Sequence, residues 1–133
     1  ALGKVNVYSK PIILCMDYIY YHLHEPIHTE ILAEHVGLNR SYLSTLFKKE
    51  TGQILSQYIL SKRIEAAQNM LRFSDYSYAE IAASLAFSSQ SHFIRVFRVQ
   101  TGYTPKEFRN RFFRKSEKSG GSIPLNKEKA DAV

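Results

Sequence analysis

The sequence holds one cysteine, Cys15, in 133 residues. That excludes an internal disulfide and any cysteine-built metal cage, so stability must come from packing, as in a reducing cytosol. No run of about 18 consecutive apolar residues occurs, so no segment of this sequence is expected to span a membrane, and no basic-then-apolar signal segment opens it, which leads to the expectation of a soluble protein. A Gly-rich phosphate loop, paired carboxylates beside a histidine and a nucleophile motif are all missing. These absences point away from an enzyme, a cofactor or a membrane partner and toward a cytoplasmic binding protein.

Acidic residues are scarce in one place. Residues 1–88 carry 8 Lys/Arg against 8 Asp/Glu, and residues 116–133 carry 3 against 3. Residues 89–115 carry seven cations (Arg95, Arg98, Lys106, Arg109, Arg111, Arg114 and Lys115) against Glu107 alone, so the whole net charge of +6 lies there. A clustered basic surface suits a polyanion, because each phosphate contact releases condensed counterions. The plainer reading of such a run is a solvated helical face.

What the chain does have is a repeat. At a spacing of 50 residues, Ile31–Ile59 and Ile81–Arg109 align without gaps, with identities at Ile31/Ile81, Ala33/Ala83, Ser41/Ser91, Phe47/Phe97, Thr51/Thr101 and Gly52/Gly102. These are apolar, capping and glycine positions, where a shared fold restricts residue choice.

Every strong periodicity is helical. Ser9 is placed to cap a first helix with Pro11 in its first turn, running to about His24 before Glu25-Pro26 stops it. Thr29 is expected to cap a short helix through Ile31, Leu32 and Val36, ended by Gly37. Asn39 then caps a helix over about Arg40 to Thr51, closed by Gly52. A long helix from about Leu55 to Arg72, roughly 27 Å at 1.5 Å per residue, connects the copies. In the second copy Ser77-x-x-Glu80 and Thr104-x-x-Glu107 are capping boxes, with Pro105 at the first helical position after Thr104. After Lys115 periodicity ceases, and residues 116–133 read as a mobile tail.

Each copy is thus a short helix, a tight turn and a second helix, the helix-turn-helix pattern in which the second helix enters the major groove. With Leu43, Leu46 and Phe47 inward, the first copy presents Ser41, Ser44, Thr45 and Lys48 outward. With Phe93, Val96 and Phe97 inward, the second presents Ser91, Ile94, Arg95 and Arg98. Small hydroxyls let a helix approach the groove, Arg95 has the geometry to pair with guanine O6 and N7, and Gln90 suits adenine. Ile94 either packs on a thymine methyl or lies partly beneath a neighbouring helix. Lys48 and Arg98 suit phosphates better than bases.

The segments ILAEHVGLNRSYLSTLFKKETG, YILSKRIEAAQNML and EIAASLAFSSQSHFIRVFRVQTGYTPKEFR resemble the AraC/XylS family of bacterial transcription regulators over about residues 8–112. The resemblance implies an all-α fold of seven helices: two homeodomain-like, three-helix helix-turn-helix units (8–53 and 74–115) joined by a connector (54–73). It implies base reading by Arg40, Ser41, Ser44 and Thr45 in the first unit and by Ser89, Gln90, Ser91, His92 and Arg95 in the second. Lys48, Arg98 and Lys106 fall on phosphates. Phe87 stands where the first copy has Gly37. The family also implies an activator that contacts RNA polymerase, and a C-terminal part of a longer, effector-responsive protein, monomeric as this fragment, with an N-terminal domain through which the intact protein can dimerise. The chain's start at Ala1 rather than Met agrees with that expectation.

Arg95, Gln90 and the charge asymmetry lead to the expectation that the second unit supplies more affinity than the first. The competing class is a helical interaction module whose basic helices meet an acidic protein. His22 and His24, two apart on a helix, do not share a face, which argues against a metal site with His28. Cys15 reads as core, and Tyr18, Tyr20 and Tyr21 mostly as packing.

Overall fold

The computed structural model describes residues 7–113. The expected tail, with Arg114 and Lys115, lies outside the described residues. Among these every regular element is an α-helix: α1 (Lys10–Tyr21), α2 (Thr29–Val36), α3 (Arg40–Thr51), α4 (Leu55–Phe73), α5 (Tyr78–Ser84), α6 (Gln90–Thr101) and α7 (Pro105–Phe112). The chain divides into two compact units, one ending at Leu60 and the other starting at Ser61, so the division falls inside α4.

In the first unit the apolar positions of α1, α2 and α3 meet in one core of Ile12, Cys15, Ile19, Leu32, Leu43 and Phe47, closed by Leu55 at the start of α4. Phe47 meets the Tyr58 ring edge-on at 5.0 Å. Burial pushes the Cys15 thiol up to about 11, because an apolar surround disfavours the thiolate.

Two helix starts differ from the sequence expectation. Ser9 occupies the N-cap of α1, yet its hydroxyl makes no cap bond. Its backbone N–H and its hydroxyl both donate to the Glu50 carboxylate, at 2.8 and 2.7 Å. The hydroxyl is thus oriented as a donor to a charged acceptor 41 residues away and does not accept from the local amides. Thr29 is the first residue of α2 rather than its cap; His28 holds that place without a side-chain bond. α1 also ends at Tyr21, short of His24, so His22 and His24 lie in the following turn, where their rings stack at 6.3 Å and both approach Glu25. Tyr18 is half-buried against His22, whereas Tyr20 and Tyr21 are exposed and pack only edge-on against each other.

The second unit is built on aromatics. Phe87, Phe93, Phe97, Phe108 and Phe112 follow one another at centroid distances between 4.6 and 5.7 Å, against buried Ile64, Ala67, Leu71 and Ile81. Tilted and edge-on pairs of this kind each contribute about 0.5–1.5 kcal/mol beyond their buried area.

Two arginines belong to this interior. Arg63, from α4, donates its Nε–H to the Leu85 carbonyl at 2.8 Å and so caps the end of α5. Arg109, 1% exposed, donates to the carbonyls of Leu71 and Ser74 at the end of α4 and just beyond it, and to that of Met70, which also accepts from the Ser74 N–H and hydroxyl, with its guanidinium 5.5 Å from the Tyr78 ring. Desolvation pulls both guanidinium pKa values down. Arg109 is therefore a structural residue and leaves the count of surface cations.

The caps also revise the repeat. N-caps His28 and Ser77 lie 49 residues apart, as do the left-handed residues Gly37 (φ 74°) and Ala86 (φ 61°), while N-caps Asn39 and Ser89 lie 50 apart. The helix-closing bonds agree: Leu38 N–H to Ala33 O at 2.9 Å, and Phe87 N–H to Ala82 O at 3.0 Å. Leu32 thus corresponds to Ile81 and Ala33 to Ala82, all buried, whereas Ile31 is 45% exposed. The identities Ile31/Ile81 and Ala33/Ala83 are out of structural register. Ala86 takes the place of Gly37 and Phe87 that of Leu38, and the α5–α6 turn is one residue longer.

Candidate nucleic-acid interface

α3 and α6 are made by the same local chemistry. Asn39 Oδ1 accepts from the N–H groups of Ser41 (2.8 Å) and Tyr42 (3.2 Å), which starts α3; Ser89 Oγ accepts from His92 N–H at 3.0 Å, which starts α6. At the far ends Thr51 and Thr101 each donate their hydroxyl to the phenylalanine carbonyl four residues back, at 2.8 Å, and Gly52 and Gly102 turn the chain out. The Thr-Gly pairs of the repeat are thus helix stops, and each helix presents a face of fixed length.

Burial fixes which face is presented. Leu43, Phe47, Phe93 and Phe97 are fully buried, while Leu46 and Val96, expected inward, are half-buried at the edge of each stripe. Opposite them on α3, Arg40, Ser41, Ser44, Thr45 and Lys48 are all exposed. On α6, Gln90, Ser91, Arg95 and Arg98 are exposed, as is Lys106 in the first turn of α7. These residues form two outward faces, one per unit.

Three expected positions have more complex surroundings. The Ser89 hydroxyl oxygen is used in capping, which leaves its hydrogen as the group to offer. His92 is half-buried, with its ring edge-on to Phe87 at 5.7 Å and its Nδ1 3.2 Å from the Ser88 hydroxyl. Arg40 donates through Nη1 to Glu30 Oε2 at 2.6 Å. The Glu30 carboxyl lies below the usual carboxylate range because of its own backbone N–H at the start of α2 and then the Arg40 guanidinium.

Two apolar members of the faces stand out. Ile94 is half-buried, and Val99, 80% exposed, was not singled out from sequence; together with Ser91, Arg95, Arg98 and Thr104 they line an open depression. Tyr42, beside Ser41, is also half-exposed, at 56%. Both are apolar side chains that read as packing residues in the sequence, and their exposure marks them as part of the outward faces. Among the described residues of 89–115 the exposed cations are Arg95, Arg98, Lys106 and Arg111, while Glu107, the lone acid, is held in its capping box. No helix among the described residues is long and apolar enough to cross a membrane.

A family model of a helix-turn-helix domain matches residues 32–111. The regulatory protein PocR of Salmonella typhimurium is 38% identical over 94 residues, which are 71% of this chain and 31% of PocR. The chain spans about a third or less of the length of the curated relatives it matches. A solved AraC-type transcriptional regulator from Chromobacterium violaceum aligns with a TM-score of 0.73 and 30% identity, covering 76% of this chain and 90% of that one. The DNA-binding domain of the global transcriptional factor AdpA, solved with a target DNA, aligns with a TM-score of 0.74 and 28% identity, covering 86% of this chain and all of that one. Two helix-turn-helix units with outward polar faces, a matching family model and these likenesses agree: the chain belongs to the AraC family of helix-turn-helix transcription regulators and is of its DNA-binding type, not an enzyme.

Proposed function

We propose that one copy of this chain reads two successive major grooves of an asymmetric duplex site, with α3 in one and α6 in the other. The observation that carries this reading is the pair of outward faces opposite Phe47 and Phe97, made of short hydroxyls and cations and fixed in length by matching caps and Thr-Gly stops. Arg40, Ser41, Ser44 and Thr45 meet base edges in the first groove, and Ser89, Gln90, Ser91, His92 and Arg95 in the second. Lys48, Arg98 and Lys106 neutralise phosphates. Because both units lie in one chain, no dimer across a palindrome is needed.

The protein acts as an activator through contact with RNA polymerase in the cytoplasm of a bacterium, as the C-terminal part of a longer effector-responsive regulator. Dimerisation, where it occurs, lies in the N-terminal part. The match to about a third of PocR supports the larger architecture.

Selection from a random duplex pool followed by footprinting tests the groove reading. Protection of two adjacent major-groove segments of unlike sequence by a monomer supports it. A palindromic site, or equal retention of every duplex and of acidic protein, contradicts it and favours the interaction-module class. Transcription from a promoter carrying the selected site, with purified polymerase and the full-length regulator, tests activation: stimulation is expected, and repression refutes that part.

A further inference from the structure

Among the described residues, Glu30 is the acid paired with a proposed base-reading residue, Arg40. Its carboxylate holds the Arg40 guanidinium at 2.6 Å, and the two side chains are 66% and 61% exposed, so the pair sits at the open surface of the first unit. Arg40 is the first residue of α3, at the positive end of the helix dipole, an unfavourable place for a cation. Glu30, in the first turn of α2, stands at the favourable end of its own helix for an acid. The field at the start of α2 favours the ionised Glu30, and the pair offsets the unfavourable placement of Arg40 in the DNA-free protein. A phosphate that recruits Arg40 must first displace Glu30 and must approach a carboxylate to do so.

Resting on the groove reading above, we propose that Glu30 is a specificity-determining residue that acts by suppression. It occupies Arg40 while the protein samples arbitrary sequence and repels the backbone there. Arg40 is released only where the base edge in front of α3 accepts its two parallel bonds, a stronger pairing than a lone phosphate offers. The second unit shows no such restraint: among the described residues neither Arg95 nor Arg98 forms an ion pair. The first unit thereby adds discrimination with little non-specific affinity.

The test compares E30Q with E34Q, which removes an equal charge from an exposed position of the same helix. Both are measured on the selected duplex and on a scrambled duplex of equal length and composition, over a range of salt. For E30Q, binding to the scrambled duplex is expected to tighten about two- to fivefold at low salt, the range of one exposed ion pair. Its log–log salt slope should steepen by about 0.9, one added phosphate contact. The ratio of selected to scrambled affinity should fall accordingly, and in an R40Q background the effect of E30Q should shrink to that of E34Q, the general loss of one negative charge.

An E30Q effect equal to that of E34Q, or an excess over E34Q that is undiminished without Arg40, overturns the proposal and reduces Glu30 to a general surface charge. If the unaltered chain shows no preference for the selected duplex, the groove reading fails first and the proposal with it. The wild-type ratio, measured before any variant, separates the two failures.

Discussion

Arg63 and Leu85 are joined by a buried hydrogen bond: the guanidinium Nε–H of a residue in the middle of α4 donates to the carbonyl that ends α5, at 2.8 Å. Leu85 immediately precedes the turn through left-handed Ala86 that leads to α6. A cation 7% exposed is thus placed where it completes a helix end and fixes the approach to α6.

R63M should therefore lower the stability of the second unit by about 1–3 kcal/mol, the cost of a buried carbonyl left without its donor. Denaturant unfolding measures this. R63K, which keeps the charge without the planar Nε–H, should fall between the two. A midpoint unchanged in R63M would remove the bond from the account.

The turns preceding α3 and α6 make a second prediction. G37A should cost about 1 kcal/mol, because an L residue pays for the left-handed conformation. A86G should leave stability unchanged or raise it by up to about 1 kcal/mol, since relief of that strain opposes the extra freedom of the unfolded chain. Thermal unfolding of the two variants checks this, and a loss in A86G as large as that in G37A would contradict it.

Cys15 gives a pH dependence whose sign follows from burial. Its folded-state pKa is raised from 9.0 to about 11. The folded state therefore holds the proton more tightly than the unfolded one. This contribution is fully present below about pH 9 and is lost as pH rises toward about 11, a change on the order of 2–3 kcal/mol. Wild type and C15A unfolded by denaturant at about pH 8 and about pH 10.5 isolate it: the stability gap between them should shrink at the higher pH. A gap independent of pH would show that the thiol does not titrate with folding.

Much of the fold was legible because its signals are local. Asn39, Ser77 and Thr104 cap where their spacing to the next amides predicts, and Gly37, Gly52 and Gly102 end helices where the periodicity stops. What was not legible depends on distant partners. Ser9 reads as a cap until Glu50, 41 residues away, claims its hydroxyl. Arg109 reads as surface charge until α4 offers its open carbonyls. The one-residue lengthening of the α5–α6 turn was hidden because Ile31 and Ile81 match by identity while one is exposed and the other buried. On the interface, the two faces could be drawn from helical rotation, but the Glu30–Arg40 pair needed the packing of α2 on α3.

The two faces are also predicted to be unequal. Thr45 offers one hydroxyl, whereas Arg95 offers a forked cation on the more basic unit. On the selected site T45A should weaken binding by less than R95A does, measured by titration at a single salt concentration. An equal or larger loss for T45A would refute the greater share assigned to the second unit.

The central claim, that the face of α6 reads sequence, is tested most directly by R95A on the selected duplex and on its scrambled counterpart. A base contact predicts a loss of about five- to a hundredfold on the selected duplex, the range of a bidentate pair, with relaxed preference at one base position and little change on the scrambled one. An equal loss on both duplexes would make Arg95 a phosphate contact and would contradict base reading by this helix.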